Sequence, residues 1–189
     1  MDISRYQMPK PFLLEARDVA QAWKIMVPEY RSAVYSPVVI QIQQWEDKYA
    51  LDISTISEKR ATNRCTNYFI PEELSRVGQR ISREKDSSIR FGAAKSGHGY
   101  HGERGDFCLV GGSISLLSDG ARADLTLMYR SLELIGGFGY DLVLIERLGN
   151  SLDLEWRRLT ILAARAHIFA LKGNSNEKLF PKLQKVFSK

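Results

Sequence analysis

Apolar residues along this chain recur at two intervals, every second position in some segments and every third or fourth in others, and their succession predicts strands and helices in turn. The run from Phe12 to Ala16 fits a short strand. After it, Ala16 to Met26 has helical spacing behind Asp18, a side chain suited to an N-cap, and Pro28 ends or kinks that helix. Tyr35 to Gln43 alternates and is β-branched, hence a strand, whereas Asp52 to Asn67 turns polar and reads as a connection. The segment from Pro71 to Asp86 opens on proline and two acids and ends on basic residues, which predicts a helix.

Ser88 to Lys95 is a further strand candidate, leading into a glycine-rich loop with His98 and His101. Asp106 to Leu117 and Ala121 to Ser131 read as two strands joined by a hairpin turn at Ser118-Asp119-Gly120. Gly139 to Asn150 has helical spacing with Gly149 and Asn150 placed to cap its end, and Arg157 to Phe169 fits one buried strand. Asn174 to Phe187 predicts a last amphipathic helix interrupted by Pro181. The expected architecture is α/β, or α+β: a single domain over residues 1–189, with a mixed central sheet flanked by helices.

Composition narrows the class. At 189 residues and 44% hydrophobic content, the chain can bury one core of ordinary size. No stretch approaches the roughly 18 consecutive apolar residues of a membrane span, and the N-terminus lacks a secretory pattern. A soluble, cytoplasmic protein without a membrane partner is expected. Two cysteines, Cys65 and Cys108, are too few for a disulfide framework, and no His/Cys cluster has metal-ligand spacing. The formal charge of +5 suits a chain that handles phosphates, and its excess in the lysine-rich tail also suits a solvated surface.

Chemistry concentrates in a few positions, each with two readings. Cys108 is a nucleophile or a small apolar strand residue. Arg90 and Arg130 carry planar forks that fit phosphate oxygens, or they form surface ion pairs, for instance with Glu133; Ser131 adds a hydroxyl donor. Asp141 offers a hydrogen-bonding carboxylate to a ligand, or caps the helix that follows. His167 is a ligand contact or a core histidine. His98 and His101 are acid–base groups or polar loop residues.

Four ordered segments resemble the thymidylate synthase and deoxycytidylate hydroxymethylase superfamily, in its short archaeal-type form. Glu73 to Arg90 resembles the helix that runs into a D-S-R-R phosphate turn, with Arg90 at the second arginine and Ile89 in place of the first. Gly105 to Cys108 places Cys108 where the family keeps its nucleophile. Arg130, Ser131, Glu133, Gly137 and Asp141 match the R-S-x-D signature and the Asn or Asp beyond it, and Leu159 to Leu171 resembles the sugar-binding segment, with His167 kept and Phe169 for tyrosine. Phe12 to Trp23 resembles the family's opening strand and helix.

The resemblance implies a homodimer in which Cys108 adds to C6 of a pyrimidine nucleoside monophosphate, making C5 a carbon nucleophile towards a one-carbon donor such as 5,10-methylenetetrahydrofolate. Arg130, Ser131 and a partner-borne Arg90 would hold the phosphate, and His167 would contact the sugar. Aspartate at 141 implies cytosine, because a carboxyl accepts from the N4 amino group. Three departures oppose full transfer chemistry: Ile42 and glutamines lie where the family has a glutamate three residues before a tryptophan, the folate-pocket insert is shortened between Ala50 and Thr66, and the closing C-terminal segment is missing. Glu46 and Glu58 are the available substitutes. Two other readings stand beside the enzyme: a nucleotide-binding or regulatory protein without transfer, and a basic nucleic-acid-binding domain. The last is disfavoured because aromatic and basic residues are not interleaved, so no nucleic-acid partner is expected.

Overall fold

The computed structural model describes residues 10–26, 33–45, 71–83, 88–92, 108–134 and 136–168. The expected last helix, the histidine-bearing loop, Glu46, Glu58, Cys65 and Phe169 lie outside the described residues. In chain order the elements are β1 (Lys10–Ala16), α1 (Val19–Met26), β2 (Ala33–Ile42), α2 (Pro71–Arg83), β3 (Ser88–Gly92), β4 (Leu109–Leu116), β5 (Arg122–Tyr129), β6 (Leu132–Glu133), α3 (Gly136–Leu152), β7 (Glu155–Ala163) and β8 (Ala166–Ile168). The strands make one mixed sheet, with β1 parallel to β2 and β5 parallel to β7, and the other long pairs antiparallel.

Because side chains alternate across a strand, each register row has a buried and an open version. The buried row Ala16, Ile42, Leu159, Leu125, Ile114 and Ile89 crosses the whole sheet and is the floor of the core. Phe138, Leu142, Ile145 and Leu148 of α3 are buried with it in the same core, and α2 packs against β3 and α3. Rows on the opposite face are exposed or half-buried. One of them runs Leu13, Val39, Leu162 and Met128, and Leu13 is 67% exposed. The next runs Glu15, Gln41, Thr160, Thr126, Ser113 and Arg90.

Local chemistry explains the element ends. Asp18 is buried and accepts from the Gln21 N–H at 2.8 Å, while the Gln21 carboxamide accepts from the Arg17 N–H at 2.6 Å, a reciprocal cap on α1. At the β4–β5 hairpin Gly120 takes φ +70° and the Asp119 carboxylate accepts from the Ala121 and Arg122 N–H groups. Helix α3 departs from the expectation at both ends. It starts at Gly136, so Asp141 lies inside its second turn and is not its cap, and it continues through Gly149 and Asn150 to Leu152.

Gly149 serves packing. The buried Trp156 indole N–H donates to the Ile145 carbonyl at 2.7 Å, and a Cβ on residue 149 would meet that indole nitrogen at 2.8 Å and the Leu154 carbonyl at 2.9 Å. A helix signal that looked like an end is therefore a contact. The expected single strand from Arg157 also departs from prediction, because Ala164 and Arg165 divide it into β7 and β8.

Candidate functional site

The divisions between β5 and β6 and between β7 and β8 fall side by side. Tyr129 pairs with Ala163 and Leu132 with Ala166 at the same offset of 34 residues, so β6 prolongs β5 and β8 prolongs β7 without slippage. Backbone bonds carry the ladder across the gap: the Ala164 N–H donates to the Tyr129 carbonyl at 3.0 Å, and the Leu132 N–H to the Arg165 carbonyl at 2.9 Å. What changes is the alternation. Tyr129 and Leu132 are both buried with Arg130 and Ser131 between them, and Ala163 and Ala166 are both buried with the exposed Ala164 and Arg165 between them.

Each strand thus spends two successive residues away from the core, the signature of a bulge-like irregularity. A register shift in β4 between Leu109 and Gly111 lies alongside, and on the far side Ser36 donates its hydroxyl to the Ala164 carbonyl at 2.7 Å. The result is a seam across four neighbouring strands.

Three of the expected site residues, Arg130, Ser131 and His167, sit on this seam or two residues from it, and a fourth, Cys108, is tied to it. The Arg130 N–H donates to the Cys108 carbonyl at 2.7 Å, which makes the two residues cross-strand neighbours; directly opposed residues in such a ladder keep their Cβ atoms about 5 Å apart. Cys108 is half-buried and packs against the core, and Arg130 is exposed. The Ser131 hydroxyl lies 3.3 Å from Nδ1 of His167, and His167 is paired in register with Glu133. Burial, with a smaller contribution from the nearby Arg165 charge, holds His167 below the ordinary histidine range, so the ring is neutral near pH 7. A neutral ring offers one nitrogen as donor and one as acceptor, and the Ser131 hydroxyl can complement either.

Asp141 and Arg90 are placed elsewhere. Asp141 is only 1% exposed, on the N-terminal half of α3, a helix that packs against β6, the strand that follows Ser131 and pairs with the His167-bearing β8. A buried carboxylate is costly unless it is hydrogen-bonded, which sets this aspartate apart from the apolar residues that follow it. Arg90 is not brought to the others within the chain. It pairs with Ser113 on β4, five residues from Cys108 and about 17 Å along the strand, and it faces outward on the open side of the sheet. Ile89 is fully buried beneath it, so the position where the resemblance expects another arginine faces the core.

The same reason disposes of the expected carboxylate before Trp45. Ile42 is 1% exposed and belongs to the core floor, while Gln43 and Gln44 are exposed. One residue escaped the sequence reading. Arg165 is exposed on the seam beside Ser131, and nothing in its spacing singles it out, because the signal is the doubled outward position and not a motif.

Among the described residues no group of three or more His, Cys, Asp or Glu side chains could hold a metal ion, and no helix is long and apolar enough to cross a membrane. No protein-family model and no curated protein matches the chain. Among solved structures it is similar to thymidylate synthase from T4 phage, at 13% identity and a TM-score of 0.45, over 63% of this chain and 41% of that one. The chain thus spans about two fifths of that structure's length. A likeness of that size leaves the fold to be described by its own elements: a mixed sheet with helices, α+β in class and mostly sheet.

Proposed function

We propose that this chain, as one thymidylate-synthase-like domain, acts at C5 of a pyrimidine nucleoside monophosphate, with cytidylate the preferred base and a hydroxymethyl or methyl group the transferred unit. The observation that supports it most is the cross-strand pairing of Cys108 with Arg130, next to the Ser131–His167 contact. In this reading the Cys108 thiolate forms a bond to C6, and the electron pair of the C5–C6 double bond moves onto C5 and the ring beyond. Protonation of C5 from water, followed by loss of the original C5 hydrogen as a proton and expulsion of the thiolate, restores the ring with an exchanged hydrogen. That half-reaction needs no carbon donor. A guanidinium at Arg130 favours the thiolate and meets the phosphate, Ser131 donates to the same anion, His167 contacts the sugar, and Asp141 accepts from the cytosine amino group.

Donor chemistry is a separate matter. The described residues do not fit 5,10-methylenetetrahydrofolate at the position where the resemblance expects a carboxylate, since Ile42 is a core side chain there. No step is routed through that donor. The same observation favours a second reading, a nucleotide-binding or regulatory protein that keeps the pocket without transfer. A homodimer belongs to the first reading: Arg90 lies on the open face beside a row that includes the exposed Leu13, Met128 and Leu162, and a second copy covering that face would bury the row and carry Arg90 towards a neighbouring site.

Release of tritium from C5-labelled deoxycytidylate, with and without the folate donor, tests the proposal. Exchange without donor is the expected result. Nucleotide binding with no exchange favours the regulatory reading, and no exchange or binding with any pyrimidine monophosphate by folded protein removes both.

A further inference from the structure

We propose that Arg165 is an anion-binding residue of the seam, which with Arg130 and Ser131 forms a phosphate site inside a single chain; its assignment to the phosphate of a nucleotide rests on the reading above. The constant offset between β5–β6 and β7–β8 places Arg165 directly beside Ser131, one strand spacing away, about 4.8 Å between backbones. Arg130 is the next residue back on Ser131's strand, and its own neighbour across the ladder is Ala164, which contributes only a methyl group. Two exposed arginines therefore stand next to Ser131 in the backbone register, one along its own strand and one across the ladder.

The ion pairs among the described residues join Arg17 to Asp18, Arg122 to Asp119 and Arg157 to Asp124. None involves Arg165, whose guanidinium has no hydrogen-bond or ion-pair partner among the described residues. The backbone at Arg165 is held in place, because its carbonyl accepts from the Leu132 N–H and Ala163 and Ala166 on either side of the Ala164–Arg165 pair are buried. A dianionic phosphate monoester matches two forks and a hydroxyl donor in both charge and geometry. Arg165 would also offset the guanidinium lost at Ile89, whose side chain points into the core.

The seam accounts for the choice of residue. With regular alternation, one of each successive pair would point into the core, where an arginine could not remain; the doubled outward step lets Arg165 and Ala164 both face away from it.

The test compares the full chain with Arg165→Ala, Arg165→Lys and, as a control, Arg158→Ala, an exposed arginine at the other end of the same strand line. Inorganic phosphate, deoxycytidine 5′-monophosphate and deoxycytidine are titrated calorimetrically, with thermal melts to show that each variant is folded. Arg165→Ala is expected to weaken phosphate and monophosphate binding on the order of tenfold or more and to leave nucleoside affinity unchanged. Arg165→Lys recovers part of the loss, and Arg158→Ala none of the phenotype. Unchanged phosphate affinity in folded Arg165→Ala overturns the inference, as does a wild type that binds no phosphate. A wild type that binds phosphate through Arg165 but no pyrimidine nucleotide supports the inference and removes the transferase reading.

Discussion

The regular stretch of the sheet and the seam that interrupts it are made from the same strands, yet they do opposite things. From Arg122 to Tyr129 and from Leu159 to Ala163, alternate residues point into the core and their neighbours outward, and the inward ones are almost fully buried. At Arg130–Ser131 and Ala164–Arg165 two successive residues face away, and Cys108, Ser131, His167 and two arginines gather there. The ladder bonds continue through both regions. A strand can thus present consecutive polar side chains without opening its core, provided that its neighbours bulge at the same level.

That contrast predicts opposite responses to substitution. In the regular stretch, Ile161→Ala removes a fully buried side chain and is expected to cost about 2–5 kcal/mol in denaturant unfolding, as is typical of such cavities. Gly149→Ala should cost about 1–3 kcal/mol through the clash with Trp156 and the Leu154 carbonyl, although alanine is the better helix former by about 1 kcal/mol. A gain in stability there would mean that Trp156 does not occupy its place against α3. Asp18→Ala loses the α1 cap for about 1 kcal/mol.

At the seam, Ser131→Ala should move stability by no more than about 0.5 kcal/mol, as expected of a partly exposed position, while weakening nucleotide binding measurably. A large stability loss there would erase the distinction between the two regions. His167 supplies a pH signature with a definite sign. Its folded value lies below the unfolded 6.5, so the unfolded chain takes up the proton first, and stability falls as pH drops through 6.5 towards the folded value. His167→Asn should flatten that slope, read from melting temperatures between pH 5 and 8.

Much of the regular stretch was legible in the sequence, because period-two burial is written directly into segments such as Ala121 to Tyr129. The Asp18 cap and the Asp119–Gly120 turn were legible too, since each depends on a side chain bonding its own local backbone. Gly149 misled because its reason lies seven residues onward in Trp156, a contact that no local pattern records. The seam was invisible for a related cause. Arg157 to Phe169 reads as one apolar strand, and only the neighbouring ladders show that Ala164 and Arg165 both turn outward. Residue order still pointed at Cys108, Arg130, Ser131 and His167, but nothing in the order could tell that Arg165 belongs with them or that Arg90 lies a strand's length away.

In the proposed reaction Cys108 attacks a pyrimidine ring at the seam. Its most direct measurement is the rate of tritium release from C5-labelled deoxycytidylate by wild type and by Cys108→Ser, at nucleotide concentrations that saturate both. Exchange is expected from wild type and none above background from the serine variant, with nucleotide affinity retained. Equal release from the two proteins would contradict it.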